Sequence, residues 1–179
     1  MNIIKKLLIF SLVSLLSFIH LSSAENLPKS TGTITGKVIG ISDGDTITIL
    51  NDKQEQIKIR LAGIDCPEKS QAFGNRAKIT LSDKVFSHNV KVETRDKDKY
   101  GRTLGIVKVG DEDINEYMIS QGVAWHYKKY AKTQPVEEAN RYAKAQELAS
   151  QNKRGLWIQD NPMPPWEFRD QAKKSKKSN

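Results

Sequence analysis

The stretch that decides the fold is residues 33–62, TITGKVIGISDGDTITILNDKQEQIKIRLA. Its apolar and polar residues alternate with short breaks, which predicts three strands, at 33–41, 45–50 and 56–62. Gly36 and Gly40 interrupt the first strand and are typical of bulges or tight bends. An Asp-Gly pair at 43–44 predicts the first turn, and residues 51–53 predict the second. Short strands joined by tight turns are what a small barrel needs.

The third strand shows the clearest pattern. Ile57, Ile59 and Leu61 fall on one face, because successive side chains of a strand point to opposite sides. Arg60 falls on the other face. We therefore predict that Arg60 points away from the buried apolar row.

The rest of the chain predicts two more strands and three helices. These elements are a helix at about 68–86, strands at 90–95 and 102–109, a short helix capped by Asp113 and closed by Gly122, and a helix from Pro135 to Gly155. The last helix is expected to bury Val136, Ala139, Tyr142, Ala143 and Ala149. Grouped strands with inserted helices predict an α+β fold, a five-stranded OB-type Greek-key β-barrel with three α-helices.

The first 24 residues have the features of a secretory signal peptide. Lys5 and Lys6 precede an apolar stretch, 7–21, and small residues follow up to Ala24. The stretch is short for a membrane anchor, so we expect cleavage after Ala24 and no stable membrane association. The protein is then predicted to be a monomer, secreted or periplasmic. The remaining segments are a flexible lead-in at 25–32, the barrel domain at 33–158, and a tail at 159–179 that contains Pro, Trp and many Lys.

Charge and cysteine content narrow the class of protein. The 179-residue chain has a formal net charge of +8, which falls to about +6 without Lys5 and Lys6. A basic secreted protein suits a polyanionic partner, although solubility alone accounts for many similar balances. Cys66 is the only cysteine, which excludes an internal disulfide. Because no Cys/His signature surrounds Cys66, we interpret it as a semi-buried structural residue rather than a nucleophile.

Three short segments carry the candidate chemistry. They are Ser42-Asp-Gly-Asp-Thr46, Arg60-Leu-Ala-Gly-Ile-Asp-Cys-Pro-Glu68 and Asp98-Lys-Tyr-Gly-Arg102. Acidic turns at neighbouring strand ends repel one another unless a cation or an arginine compensates them. Asp45, Asp65 and the carbonyl of Cys66 offer the oxygen ligands that Ca²⁺ prefers, and zinc is disfavoured because His88 and His126 lack ligand spacing.

In order and separation, the three segments resemble those of the micrococcal (staphylococcal) nuclease, or thermonuclease, family. Asn115-Glu116 and Gln121-Gly122 extend the similarity, which spans about residues 33–157. Three ordered motifs are far more specific than any one of them alone. The resemblance implies a Ca²⁺-dependent endonuclease that hydrolyses DNA and RNA without sugar specificity and leaves 3′-phosphate ends.

The resemblance also implies a role for individual residues. Asp45, Asp65 and the Cys66 carbonyl would bind Ca²⁺, with Asp43 in the outer shell. Arg60 and Arg102 would grip the scissile phosphate, and Glu68 would activate or orient water. The residues implied to contact the bound nucleotide are Lys99, Tyr100 and Tyr130, with Tyr127 as a further candidate.

This sequence departs from the family pattern at two of these positions. Cys66 replaces the family's threonine, which keeps a backbone carbonyl and loses a hydroxyl. Lys128 replaces a nucleotide-site tyrosine, although Tyr127 is adjacent. Neither change removes a charge required for cleavage.

The end of the chain and the competing function complete the predictions. The terminal lysines are interpreted as a solvated, disordered tail that can also recruit DNA. Trp166 and Phe168 are interpreted as docking the terminus on the barrel.

The alternative function is a non-catalytic OB-fold module that binds nucleic acid or protein. The enzyme is favoured over this module, because the acidic and arginine residues of the site are all present: Asp45, Asp65, Glu68, Arg60 and Arg102.

Overall fold

A computed structural model describes residues 32–177, except for the side chains of Tyr130, Lys132 and Lys177. The predicted signal peptide and residues 25–31 of the predicted lead-in lie outside this range. Over residues 32–177, no helix has the length and apolar character needed to cross a bilayer.

The described residues form eight strands and four α-helices. In chain order these are β1 (Gly32–Asp43), β2 (Thr46–Leu50), β3 (Gln56–Leu61), β4 (Ile64–Asp65), α1 (Gly74–Val85), β5 (Asn89–Lys97), β6 (Thr103–Val109), β7 (Glu112–Asp113), α2 (Ile114–Ser120), β8 (Trp125–His126), α3 (Val136–Gln151) and α4 (Pro165–Lys177). Two 3₁₀ helices, Lys128–Thr133 and Gly155–Ile158, flank α3.

Five strands close into the predicted barrel. Antiparallel pairing runs in the order β3-β2-β1-β5-β6, and a parallel pairing of β3 with β6 joins the two edges. The register of β1 against β2 shifts on either side of Gly40, as the glycines of β1 predict. The α+β class and the five-stranded OB-type barrel are confirmed, with one α-helix more than the three predicted.

Strand β3 follows its sequence pattern. Ile59 and Leu61 are fully buried in the barrel core, Ile57 packs at its margin, and Arg60 lies on the opposite face. The alternation along β3 therefore separates the apolar core from a charged cluster at the surface of the barrel.

Helix α1 begins later than predicted, at Gly74 instead of about Glu68. Residues 68–73 form turns, and Phe73 has φ of 67°, a left-handed conformation that cannot continue into a right-handed helix. A Cβ atom on Gly74 would collide with the carbonyl of Glu68. The close fold of this loop keeps Glu68 out of the helix.

Helix α2 starts as predicted, with the Asp113 side chain accepting a hydrogen bond from the Glu116 N–H at 3.0 Å. Its Asn115 side chain is fully buried and hydrogen-bonded on all sides. It donates to the carbonyls of Ala62 (2.9 Å) and Gly105 (3.1 Å) and accepts from the Val107 N–H (3.1 Å). Asn115 thereby joins α2 to the seam between β3 and β6.

The predicted buried face of α3 is partly wrong. Tyr142 and Ala149 are buried as expected, but Val136 is 57% exposed and Ala143 is exposed. Ala145 and Glu138 are buried instead. The buried stripe therefore runs through Glu138, Tyr142, Ala145 and Ala149, and the inward Glu138 is paired with Arg95 at 2.8 Å.

The predicted disordered tail is a helix. Residues 165–177 form α4, which starts at the second of two consecutive prolines and carries Trp166 in its first turn. The Trp166 ring stacks on Tyr127 with centroids 5.3 Å apart and meets Trp125 edge-on at 5.6 Å. This agrees with the interpretation of Trp166 as a docking residue.

Replacing Asn115 with Ala is expected to destabilise the fold by about 2–4 kcal/mol, because the Val107 N–H and the Ala62 carbonyl lose a hydrogen bond and the Gly105 carbonyl keeps only its bond from the Ala62 N–H. Asn140→Ala, on the exposed face of α3, is the matched control and should change stability by less than about 0.5 kcal/mol. Urea unfolding of the two variants beside the parent measures this difference. Equal midpoints for Asn115→Ala and the parent would contradict the role given to Asn115.

Candidate active site

The turn between β1 and β2 buries one carboxylate at the end of the barrel. The Asp43 side chain accepts from the Asp45 N–H at 3.1 Å, which fixes the turn. The Asp45 carboxylate is 6% exposed and accepts from the Cys66 N–H at 3.0 Å and from the Thr46 hydroxyl at 3.1 Å. Asp45 is thus held by residues from both β2 and the segment after β4.

Arg60 brings a second carboxylate to the first. One of its nitrogens, Nη2, lies 3.0 Å from Asp45 Oδ2 and 3.0 Å from Asp65 Oδ1. The other terminal nitrogen donates to the carbonyls of Leu61 (2.7 Å) and Ile64 (3.0 Å). The two acids, 20 positions apart in sequence, therefore face each other across a single buried nitrogen.

The buried position of Asp45 disfavours its ionised form despite the contact with Arg60. Burial raises the pKa of Asp45 to about 7, and the neighbouring charges of Asp43 and Asp65 add to this shift. Arg60 and the Cys66 N–H oppose it only in part. An additional cation at this point would keep Asp45 ionised.

Cys66 is buried beneath the first turn. Its thiol donates to the Gly44 carbonyl at 3.1 Å, and a Cβ atom on Gly44 would lie 2.6 Å from that of Ala77. Glycine is therefore required for the turn to pack on α1. Burial, followed by the charge of Asp45, raises the pKa of the Cys66 thiol well above its ordinary value.

Arg102 reaches the cluster from the turn between β5 and β6. Its Nε atom donates to Asp98 Oδ2 at 2.7 Å, and its Nη1 donates to the Thr46 hydroxyl at 3.1 Å. Because Thr46 in turn donates to Asp45, the hydroxyl links Arg102 to the buried acids. The N–H groups of Tyr100 and Arg102 both donate to Asp98 Oδ1, so Asp98 organises the turn.

The predicted nucleotide-contacting residues divide into two groups. Lys99 and Tyr100 lie on the Arg102 turn, where the Tyr100 ring is 73% exposed and the Arg102 guanidinium is 5.7 Å from its centroid. Tyr127 instead stacks on Trp166 of α4. Tyr130 belongs to the 3₁₀ helix, and its side chain is outside the described part of the structure.

Glu68 joins the cluster through a residue that the sequence patterns did not indicate. Arg169 of α4 donates to Glu68 Oε1 at 2.8 Å and to both oxygens of Asp65, at 2.7 and 3.2 Å. The sequence patterns assigned Arg169 no role because its partners lie about 100 positions away and no local pattern connects them. The docking tryptophan three residues earlier was the only available signal.

The donor set suits a hard cation. Asp45, Asp65 and the Cys66 carbonyl supply oxygen atoms, the ligands that Ca²⁺ and Mg²⁺ prefer. Over residues 32–177, no three His, Cys, Asp or Glu side chains are grouped to hold a metal by themselves. A metal here would need backbone, water and substrate oxygens to complete its shell.

Comparisons with known proteins show what the sequence is similar to. Residues 58–159, more than half of the chain, match the family model described as Staphylococcal nuclease homologue. An uncharacterized endonuclease of Haemophilus influenzae is 44% identical over 90% of this chain and 85% of its own length. The micrococcal nuclease of Shigella flexneri is 40% identical over 77% of this chain and 82% of its own length, and protein ParB of Escherichia coli is 38% identical over 78% and 81%.

The buried thiol of Cys66 is expected to be unreactive in the folded protein. With DTNB at pH 8, the native parent should release no thiolate on the timescale of minutes, because burial excludes the reagent. Unfolding in urea should then release one per chain. A Ser150→Cys variant, whose added thiol is on the exposed face of α3, is the positive control. Immediate reaction of the native parent would contradict the burial of Cys66.

Proposed function

This chain belongs to the staphylococcal nuclease family of endonucleases, and on that premise we propose that it is a Ca²⁺-dependent enzyme that cleaves DNA and RNA to 3′-phosphate ends. The observation that carries the proposal is the meeting of Asp45 and Asp65 at one nitrogen of Arg60, with Arg102 connected through Thr46. The site combines oxygen ligands with two guanidinium groups, the inventory that phosphodiester cleavage needs.

Asp45, Asp65 and the carbonyl of Cys66 would hold the metal, with Asp43 in the outer shell. The pKa of Asp45 is raised first by burial and further by the charges of Asp43 and Asp65, and a bound cation would offset both effects by favouring the ionised carboxylate. Bound Ca²⁺ would supply electrostatic stabilisation of negative charge on the phosphate. Cys66 in place of threonine leaves this role intact, because the backbone carbonyl is the proposed ligand.

Arg60 and Arg102 would stabilise the charge that develops on the phosphate as water attacks. A guanidinium presents several N–H donors in a rigid plane that matches phosphate oxygens. Asp98 holds Arg102 at two points of the turn, and backbone carbonyls hold Arg60. Groups fixed in advance need little reorganisation during the reaction, which is the source of their catalytic effect.

Glu68 would accept a proton from the attacking water or orient it. Its side chain is 40% exposed, in contrast to the buried Asp65 beside it, so it has access to solvent water. The loop of residues 68–73 keeps Glu68 outside α1 and at the edge of the cluster. A carboxylate with this access is suited to general-base work.

Lys99, Tyr100, Tyr127 and Tyr130 would contact the nucleotide around the cleaved bond. The exposed ring of Tyr100 supports a stacking contact, and stacking on an aromatic face tolerates every base. The formal charge of about +6 expected after removal of Lys5 and Lys6 supports attraction of nucleic acid without sequence preference. These features favour a broad substrate range, and we propose that the enzyme acts as a monomer.

Secretion or periplasmic location is part of the proposal and rests on the sequence alone. Lys5 and Lys6, the apolar stretch 7–21 and the small residues ending at Ala24 support a cleaved signal peptide.

Glu68→Gln is expected to lower the rate of DNA cleavage by about 10²–10⁴-fold, because an amide cannot accept the proton of water. DNA affinity should remain at the parental value when it is measured by fluorescence anisotropy in chelator, where the parent does not cleave the probe. Glu147→Gln on the solvent face of α3 removes the same charge and should leave both values unchanged. If Glu68→Gln cleaves DNA at the parental rate, Glu68 is not the residue that activates water.

Chelation of divalent ions is expected to abolish cleavage of both plasmid DNA and RNA by the mature chain, and Ca²⁺ should restore it. The reason is that Asp45 and Asp65 need a cation to offset their charge when a phosphate approaches. End-group analysis of the products should detect 3′-phosphates. Cleavage in excess chelator would contradict the proposed cofactor. Products with 5′-phosphate ends would contradict the proposal that cleavage leaves 3′-phosphates.

A further inference from the structure

Helix α4 inserts a third arginine into the candidate active site. The matched family segment ends at residue 159, and Arg169 lies ten positions beyond it. Arg169 Nη2 contacts Asp65 Oδ2 at 2.7 Å, while Nη1 contacts Asp65 Oδ1 at 3.2 Å and Glu68 Oε1 at 2.8 Å. One guanidinium therefore spans a proposed metal ligand and the proposed base.

The position of Arg169 is set by a docked helix. Trp166, three residues earlier on α4, stacks on Tyr127 and contacts Trp125. The segment before α4 is tied to the Glu68 loop, since Gln71 donates to the Met163 carbonyl at 2.6 Å. These contacts hold α4 over the acids without using Arg169, so the arginine side chain can move while the helix stays docked.

The contacts of Asp65 show which arginine can withdraw. Arg60 is 12% exposed and is fixed by two backbone carbonyls, whereas the Arg169 side chain is 36% exposed on a surface helix. Arg169 contacts both carboxylate oxygens of Asp65, including Oδ2, which Arg60 does not contact at hydrogen-bond distance. A cation that takes Asp65 as a ligand must compete with Arg169 for these oxygens.

We propose that Arg169 is a further functional residue of this site, an internal counter-cation that occupies Asp65 and Glu68 and withdraws when a divalent cation binds. This inference rests on the proposed calcium site. Arg169 then sets the calcium concentration at which the site loads, and it releases Glu68 in the same step. Before loading, Arg169 supplies one positive charge to the two acids and keeps Glu68 engaged.

Calcium titration of the full mature chain without nucleic acid tests the proposal by isothermal calorimetry. Arg169→Gln should bind Ca²⁺ about tenfold more tightly than the parent, because the competing charge is gone. Lys173→Gln is the matched control, since it removes the same charge from the same helix at a side chain 73% exposed and paired only with Asp170. This control should bind Ca²⁺ with the parental affinity.

Arg169→Lys provides a second variant that keeps the charge. An ammonium group lacks the planar fork that spans Asp65 and Glu68, so its calcium affinity should lie between those of the parent and Arg169→Gln. Tryptophan emission of each variant, recorded before calcium is added, reports whether Trp166 remains in its stack. If Arg169→Gln loses the Trp166 stack, the calcium affinity of Arg169→Lys is compared with that of the parent instead.

The results separate the two proposals. Calcium affinity of the Arg169 variants equal to or weaker than that of the parent overturns the counter-cation and leaves the calcium site standing. An equal gain in Lys173→Gln also overturns it, because general electrostatics then account for the effect. Absence of calcium binding in every protein, including the parent, overturns the calcium site and with it the counter-cation.

Discussion

Two carboxylates that the fold buries, those of Asp45 and Asp65, share one nitrogen of Arg60. A buried charge is strongly unfavourable unless it is paired and hydrogen-bonded, so Asp45 depends on Arg60, and Asp65 depends on Arg60 together with Arg169. The reverse also holds, because Arg60 is itself almost wholly buried. This three-way ion pair fixes the relative positions of the β1–β2 turn, the end of β3 and the segment that carries Glu68.

The closure of the barrel explains why the other functional groups meet at the same point. Arg60 pairs with Thr46 of β2 on one side and with Leu104 of β6 on the other. The first neighbour adjoins Asp45, and the second follows the turn that presents Arg102. Since β3 and β6 run parallel, their pairing joins elements that are distant in sequence, and Asn115 supports the seam from inside. The residues of the site therefore meet because the barrel closes through the β3–β6 pairing.

Patterns that depend on near neighbours were predictable from the sequence, and contacts that depend on tertiary packing were not. The period of two in β3 assigned Arg60 to the correct face, and Asp113 with Glu116 marked the start of α2. The start of α1 was misplaced because the left-handed conformation of Phe73 is imposed by the packed loop before it. The contacts of Arg169 with Asp65 and Glu68 span more than 100 positions and follow no local period.

Within the proposed function, the charge balance of the site explains what Arg169 contributes. Asp65 and Glu68 need positive charge before any metal or substrate is present, and Arg169 supplies a single unit of it. Exchange of a guanidinium for Ca²⁺ replaces one positive charge with two, so the loaded site gains one unit. A phosphodiester group carries one negative charge, which matches that gain. The exchange would therefore make the site favourable to its substrate only after the metal has bound, and would free Glu68 at the moment when water must be activated.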